Sequence, residues 1–314
     1  MINEYIKKLR NLDNKFVDKS LHYITISTVN GLIVNPFDSE SIAKKCEDKG
    51  KATTCKWTGL TASDIMKMWE DKASISREYG KKVDAYAETI LEGNEDDKEM
   101  YMLDNDVEND ERLKNHVLAF DQFYDRIMKS GDVVYVGREI EVWNRIKNVN
   151  EDFYVKGRLD ALFYNKRTDT WIVIDWKSNE GIATQGTKWT DHMLGPAKDL
   201  LQLDWNTYTL QVYNYKEALL QNYLPEGTEA SHVQCMIVNL PKEAYDNDDA
   251  VLGKGQQYKA YMGAFPYDEN KINKIFEFAY RKDQLNRKKK SEENEHGGKL
   301  TEKQMKQIQE FNLF

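Results

Sequence analysis

The sequence predicts an α/β fold in which a mainly helical N-terminal region precedes a sheet with further helices. Apolar residues recur at helical spacing as far as about residue 91, whereas strand-type stretches begin at about residue 131. A long helical stretch, another strand and a closing helix then follow one another. We therefore divide the chain into residues 1–130, residues 131–270, and a C-terminal helix with a polar tail at 271–314.

Composition and charge restrict the class of protein. The chain has 314 residues, of which 40% are hydrophobic and 31% charged, so it can bury a globular core. We find no signal-like start and no apolar stretch near the ~20 residues of a membrane span, and so expect a cytoplasmic protein without membrane contact. Three cysteines are too few for a disulfide framework or a four-thiolate cluster. The net charge of -8 argues against a broadly basic surface but leaves a locally basic cleft possible.

The N-terminal region contains the clearest helix. In "TASDIMKMWEDKASISREYGKKVDAYAETILEG", apolar residues from Ile65 to Ile90 recur at helical spacing, and Thr61 or Ser63 can cap the start. We interpret the following "GNEDDKEMYMLDNDVENDER" as a solvated acidic loop or insertion, with an acid-rich metal loop as the alternative. Another helix is expected at 116–130.

Strands are predicted for four later stretches. These are "DVVYVGREIEVW", "FYVKGRLDALFY", "WIVIDWKS" and "ASHVQCMIVNL". Between the last two lies a long helix candidate, "KDLLQLDWNTYTLQVYNYKEALLQNY", ended by Leu224 and Pro225, and "ENKINKIFEFAYRKDQLNRKKK" predicts a closing helix with a basic end.

The strand "WIVIDWKS" ends in two charges placed two residues apart, Asp175 and Lys177. Side chains two apart share a strand face, so both point the same way as Trp171 and Val173. We expect one face of this hairpin to be core and the other to carry chemistry or solvent. In the preceding strand the same rule separates two sets, which are Leu159, Ala161 and Phe163 on one face and Arg158, Asp160 and Leu162 on the other.

The turn "NKRTDT" sets the register of the hairpin. If the hairpin is symmetric about residues 167 and 168, Tyr164 lies opposite Trp171 and Asp160 lies opposite Asp175. Opposed like charges repel, so a cation between them is expected, and Mg²⁺ prefers such carboxylate ligands. Lys177 can then orient or activate a nucleophile near the metal. The alternative is an ordinary surface ion pair, which contributes little.

These residues resemble a known nuclease pattern. "GRLDAL" followed by "IDWKS" resembles the G-x-x-D and D-x-K core of the PD-(D/E)XK nuclease superfamily. "LQVYNY" places Gln211 and Tyr215 four apart, on one helix face, and resembles the Q-x-x-x-Y motif of the RecB-like exonuclease branch. That branch includes mitochondrial genome maintenance exonucleases and phage exonucleases, so the expected location is the host-cell cytoplasm if the protein is phage-encoded.

Two upstream acids extend the resemblance. The family uses an acid in its first core strand, matched here by Glu139 or Glu141, of which we favour Glu139. "GKKVDAYAE" resembles a variant of the family's G-T-x-x-H helix motif, with Asp84 in place of the histidine. A carboxylate can also bind Mg²⁺, although Asp84 can equally be an exposed acid on an amphipathic helix.

The resemblance implies a PD-(D/E)XK, restriction-endonuclease-like core, with a mixed central sheet flanked by helices. It implies that Asp160 and Asp175 bind Mg²⁺ or Mn²⁺ with help from Asp84 and Glu139. Lys177 would position or activate the attacking water, and the catalytic set would be completed by Gln211 and Tyr215, which brace the site or hold the DNA backbone. The expected activity is metal-dependent DNA hydrolysis by an exonuclease acting on single strands or DNA ends. The alternatives are an endonuclease of the same superfamily and a catalytically silent DNA-binding protein.

Contacts with DNA are expected from basic and aromatic residues near the site, namely Arg158, Lys188 and Trp189, with Lys156 and the basic stretch 287–290 as further candidates. Each can instead be ordinary surface, or core for the tryptophan. The final "QEFNLF", with Phe311, Leu313 and Phe314, resembles a peptide that holds the bacterial sliding clamp, although terminal packing onto the body is the alternative. Because we place Asp160 and Asp175 on the face away from the core, alanine at either position is expected to abolish cleavage without unfolding the chain.

Overall fold

The computed structural model describes residues 2–10, 22–149, 152–188, 190–243 and 257–296. They form an α/β structure in which helices flank a mixed open sheet on both faces, as the sequence predicts. Within these ranges, no helix is long and apolar enough to cross a membrane.

Eight α-helices are assigned within the described ranges. They are α1 Ile2–Arg10, α2 Ile26–Leu32, α3 Ser39–Ala52, α4 Ala62–Leu91, α5 Glu95–Asp104, α6 Glu111–Met128, α7 Asp204–Ala218 and α8 Glu269–His296. The predicted helices at α4, α6, α7 and α8 are confirmed, and α7 continues into one π-helical turn, Leu219–Tyr223.

The sheet contains the four predicted strands and two short ones that the sequence analysis missed. Its strands are β1 His22–Thr25, β2 Val133–Arg145, β3 Phe153–Asn165, β4 Thr170–Lys177, β5 Val233–Asn239 and β6 Lys259–Tyr261. The order is β1-β3-β4-β5-β6, and β2 also pairs with β3. The β1–β3 and β4–β5 pairs are parallel, and the other pairs are antiparallel.

Strand β3 is flanked by two different strands along one edge. Strand β2 pairs with β3 from residue 154 to residue 165 and so occupies the other edge. On the shared edge, β1 pairs with residues 153–156 and β4 pairs with residues 161–165. Neither of these two strands pairs with residues 157–160, and we call this stretch the β3 gap. The gap contains Gly157 and Asp160, two residues of the G-x-x-D pattern.

Both faces of the sheet are covered, which corrects the expectation that one face of the hairpin is open. Trp171 and Val173 of β4 belong to a core cluster shared with α7 and α8. Ile172, Ile174 and Trp176 belong to a second cluster shared with α4 and α6. Strand β4 is therefore sandwiched, and its charged end lies beside core on each side.

The side-chain alternation of β3 is interrupted near Asp160. Leu159 packs in the first cluster with Leu162, whereas Ala161 packs in the second, so the predicted grouping of Leu159 with Ala161 and Phe163 is wrong. The neighbouring strand is irregular as well, since Glu139 of β2 has a φ of 51°, in the left-handed region that few non-glycine residues adopt. Such a local irregularity changes which side chains share a face.

The acidic stretch after α4 is a helix rather than the predicted loop. The side chain of Asn94 accepts hydrogen bonds from the backbone nitrogens of Asp96 and Asp97, and α5 begins with three acidic residues. Negative charge in the first turn is favourable beside the helix dipole, and burial of Tyr101 attaches α5 to the second cluster. The acidic residues that led us to predict a loop therefore stabilise the N-terminus of a helix.

Candidate active site

The paired aspartates lie where β3 and β4 separate. The structure confirms that Tyr164 lies opposite Trp171, and the ladder ends at Ala161 and Ile174. Just beyond it, the backbone nitrogen of Trp176 donates a hydrogen bond of 2.7 Å to Oδ2 of Asp160. The β3 gap thus gives the Asp160 carboxylate room to reach the end of β4, beside Asp175.

Asp175 and Lys177 form a buried ion pair at the end of β4. Asp175 has 0% exposure, and its Oδ2 lies 2.5 Å from Nζ of Lys177. The ammonium group also lies over the ring of Tyr208, 4.8 Å from the ring centroid. A buried cation gains from an aromatic face as well as from a carboxylate, so Lys177 is held on two sides.

Helix α7 packs on one face of the sheet and holds the Asp175 carboxylate through a hydrogen bond. The side-chain nitrogen of Gln211 donates to Oδ1 of Asp175 at 2.9 Å and to the hydroxyl oxygen of Tyr215 at 2.7 Å. The i, i+4 spacing places both α7 side chains on one face, as predicted. The structure therefore joins Tyr215, Gln211, Asp175 and Lys177 into one chain of contacts.

A glycine lets α7 approach β3 this closely. A Cβ atom on Gly157 would lie 2.4 Å from Cε1 of Tyr215 and 2.9 Å from Nδ2 of Asn214. Both distances are far below van der Waals contact, so a side chain at this position would displace α7. The glycine of the G-x-x-D pattern is thus explained by the packing of Tyr215.

The surroundings of the two aspartates raise both of their pKa values. Burial raises the pKa of Asp160 well above its usual range, Asp175 raises it further, and Lys177 opposes both. Burial also raises the pKa of Asp175, again against Lys177. Burial alone would lower the pKa of Lys177, but the carboxylates of Asp175 and Asp160 outweigh it and the net shift is upward. The pair of acids therefore holds more negative charge than Lys177 can balance.

Glu139 and Glu141 have separate surroundings. Glu139 pairs with Arg158 at 2.6 Å, and its charge raises the pKa of Asp160. Glu141 pairs with Lys156 at 2.5 Å and accepts a hydrogen bond from the indole nitrogen of Trp143. Of the two acids, Glu139 is the one whose charge acts on Asp160.

Asp84 is committed to a different partner. Its Oδ1 lies 3.0 Å from Nη2 of Arg138, whose Nη1 lies 2.8 Å from Oε2 of Glu88, one helical turn further along α4. The Arg138 side chain is 9% exposed. Helix α4 covers the face of β4 opposite to α7, and Asp84 pairs with Arg138 on that side of the sheet.

Only some of the residues that we expect to contact DNA lie in the described part of the chain. Arg158 is largely exposed but paired with Glu139, while Lys156 pairs with Glu141 and lies over the Trp143 ring. Lys188 is exposed in the loop between β4 and α7. Trp189 and residues 311–314 lie outside the described residues, as does the side chain of Lys290.

A cleft of about 550 Å³ adjoins the end of β4. Its walls are α4 and residues 179–181, which follow Lys177 in the chain, and they include Lys72, Arg112 and Lys242. Lys72 and Lys242 both pair with Glu180, at 3.3 Å and 2.9 Å. The cleft is thus lined by charges of both signs and lies next to the segment that follows β4.

Two residues in these contacts were missed by sequence reasoning. Tyr208 is not among the predicted site residues, yet its spacing of three and seven residues from Gln211 and Tyr215 places it on the same α7 face, so the sequence did contain this signal. Arg138 lies within a predicted strand, and nothing in the strand pattern marks it as a site residue. Its role depends on contacts with α4, which no local pattern contains.

Comparisons with known proteins give no assignment. No protein-family model matches the chain, and no curated protein matches it. A solved structure titled "Crystal structure of SSO0001" is similar at 14% sequence identity over 89% of this chain and 85% of that chain, with a TM-score of 0.32. The function of the chain is therefore inferred from its own residues.

Proposed function

We propose that the chain is a metal-dependent deoxyribonuclease with a PD-(D/E)XK core, and that it acts as an exonuclease on single-stranded DNA or DNA ends. The observation that supports this most is the convergence of Asp160, Asp175 and Lys177 at the separation of β3 and β4. Asp175 is fully buried, whereas Asp160 and Lys177 are partly buried, and grouping charges at such positions is costly because each loses contact with water. Such a cluster is typical of a functional site.

The donors fit a hard divalent cation. Within the described part of the chain, no three His, Cys, Asp or Glu side chains form a group that could hold a metal. Mg²⁺ is commonly held by one or two carboxylates, with waters and substrate phosphates completing its coordination. Asp160 and Asp175 would supply those carboxylates, with Oδ2 of Asp175 also paired with Nζ of Lys177. When bound, Mg²⁺ or Mn²⁺ would stabilise negative charge on a phosphate oxygen and make a water more acidic.

The other residues position these groups. Gln211 fixes Oδ1 of Asp175, and Tyr215 accepts a second hydrogen bond from the same amide, so the carboxylate is held in one orientation. The ammonium of Lys177, held by Asp175 and Tyr208, would orient the attacking water and stabilise charge on the phosphate. Glu139 and Arg158 lie at the rim, where Arg158 can exchange its carboxylate for a DNA phosphate.

The test is digestion of end-labelled linear single-stranded DNA beside a closed circle of the same sequence. Each is incubated with Mg²⁺, Mn²⁺ or EDTA, using the wild type and Lys177→Met. Lys166→Met is the matched control, since Lys166 is exposed in the β3–β4 turn of the same hairpin. We expect metal-dependent loss of the linear strand, reduced by at least about 100-fold in Lys177→Met and unchanged in the control.

The other outcomes distinguish the alternatives. Metal-dependent cutting of the circle would identify an endonuclease. Binding of DNA without cleavage under any metal would identify a silent DNA-binding protein, and equal cleavage by the wild type and Lys177→Met would remove Lys177 from the site.

A further inference from the structure

The ion pairs around Arg138 differ from what the resemblance implies for Asp84. Arg138 holds Asp84 at 3.0 Å and Glu88 at 2.8 Å, and its side chain is nearly buried. The guanidinium also donates to the backbone oxygen of Asp84 at 3.4 Å. Several short contacts to one buried cation fix the position of the Asp84 carboxylate.

Arg138 lies immediately beside the aspartate pair. In the β2–β3 ladder it is the partner of Ala161, the residue after Asp160. Ala161 faces the cluster that contains α4, whereas Asp175 faces α7 through Gln211. The guanidinium is therefore on the α4 side of the sheet, where it pairs with the α4 carboxylates.

The charges around the site also suggest how many metal ions it takes. Five carboxylates and three cations are linked by the contacts described above; the acids are Asp84, Glu88, Glu139, Asp160 and Asp175, and the cations are Arg138, Arg158 and Lys177. With all of them ionised, two negative charges remain unbalanced. One divalent cation beside Asp160 and Asp175 matches that charge, whereas Asp84, Glu88 and Arg158 are in contact with solvent.

We propose that Arg138 takes the place of a second metal ion. It neutralises Asp84 and Glu88 and keeps them from the aspartates, so that the site binds a single divalent cation at Asp160 and Asp175. Arg138 is thus a positioning residue that sets metal stoichiometry. This inference rests on the proposed function, because it assumes that the aspartate pair binds a metal.

The test is titration of the full chain with Mn²⁺ alone. Binding is monitored by calorimetry and by the electron paramagnetic resonance signal of free Mn²⁺. The wild type is expected to bind one ion per chain. Arg138→Met releases Asp84 and Glu88 and is expected to bind a second ion, whereas Arg138→Lys keeps the charge and is expected to bind one. Arg167→Met removes an exposed arginine of the β3–β4 turn and is the matched control.

A second variant keeps the test decisive if Arg138→Met does not fold, which circular dichroism will show. Asp84 is 40% exposed, so Asp84→Asn is expected to fold. We expect it to change the Mn²⁺ dissociation constant less than about three-fold, whereas Asp175→Asn should weaken binding by more than about ten-fold.

The outcomes separate the inference from the proposed function. Two ions bound by the wild type, a single ion in folded Arg138→Met, or loss of Mn²⁺ binding in Asp84→Asn would each overturn the role of Arg138 while leaving the nuclease proposal intact. No Mn²⁺ binding by the wild type would overturn both.

Discussion

The backbone nitrogen of Trp176 donates a hydrogen bond to Oδ2 of Asp160, 2.7 Å away, just past the last paired residues of β3 and β4. A side chain thus joins the two strands at the point where their backbones part. The carboxylate that we assign to metal binding also holds the two strands together. Substitutions of Asp160 must therefore be judged on folding as well as on cleavage.

The first prediction concerns Asp160→Asn. An amide oxygen can still accept the Trp176 hydrogen bond, and removal of the charge relieves repulsion from Asp175, so we expect the metal-free variant to be more stable by about 1 kcal/mol or more at pH 7. Wild-type stability should rise by about 2.7 kcal/mol when Mn²⁺ is at 100 times its dissociation constant, and that of the variant should not. Urea unfolding with EDTA and with Mn²⁺ measures both effects. Equal Mn²⁺ stabilisation of the two proteins would contradict the assignment, with Asp152→Asn as a surface control.

The second prediction concerns the brace on Asp175. Gln211→Leu removes the donor to Oδ1, so the pKa of Asp175 should rise further and the acidic limb of the pH–activity profile should move to higher pH. Cleavage at neutral pH should fall by about 10- to 100-fold. Tyr215→Phe leaves the Gln211–Asp175 hydrogen bond in place and should have a smaller effect. A profile that falls in amplitude without moving would show that Gln211 does not act through Asp175.

The third prediction concerns Tyr208. Tyr208→Phe keeps the ring beneath the Lys177 ammonium, whereas Tyr208→Leu removes it. Loss of a partly desolvated cation–π contact costs about 1–2 kcal/mol, so we expect cleavage by Tyr208→Leu to fall about ten-fold while Tyr208→Phe stays near wild type. Single-turnover rates give the comparison. Equal losses in both variants would assign the effect to the hydroxyl group instead.

The fourth prediction tests the packing of α7 on β3. Gly157→Ala places a methyl group against Tyr215 and Asn214 and should lower the free energy of unfolding by about 1–3 kcal/mol, with loss of cleavage as Gln211 shifts. The control is Gly31→Ala in α2, where no atom lies within 4 Å of the added Cβ. Alanine should be neutral or stabilising there by about 0.5–1 kcal/mol. A Gly157→Ala protein of unchanged stability would show that α7 can move freely.

The fifth prediction is a pH dependence of stability. His116 is buried, its Nδ1 donates to the backbone oxygen of Leu240 at 2.8 Å, and burial lowers its pKa from 6.5 to about 4. Between these values the unfolded chain binds more protons than the folded one, so stability is lost as pH falls from about 6.5 to about 4. The wild type should lose about 2–3 kcal/mol more over this range than His116→Asn, which does not titrate. Urea unfolding at each pH gives the free energy of unfolding. An equal change of this free energy with pH in the two proteins would contradict the prediction.

Local patterns were sufficient to predict much of the site. The turn "NKRTDT" and the alternation of apolar residues predicted the β3–β4 register, which Tyr164 and Trp171 confirm. The helical spacing of Gln211 and Tyr215 predicted that they share a face. These features depend on neighbours a few residues apart in the chain, which the sequence displays directly.

The remaining features depend on distant segments. The expectation that Asp175 lies away from the core is wrong because α7 covers its face, and Asp175 has no exposure. Alanine at this position is therefore expected to leave a buried void as well as to remove the charge. Arg138 pairs with Glu88 of α4, which is 50 residues away in the chain, so no local pattern reveals this contact.

The two strands that share an edge of β3 come from opposite sides of β3 in the sequence. Strand β1 precedes β3 by more than a hundred residues, whereas β4 follows it directly. Contacts between such distant segments close large loops and slow folding. During synthesis, the β3–β4 hairpin can form only after β1 has left the ribosome, and Asp175 acquires its brace only when α7 follows. A protein that lacks residues 1–25 would keep the aspartates but would have no β1 to cover the edge of β3 beside Gly157. We expect such a protein to aggregate through that edge.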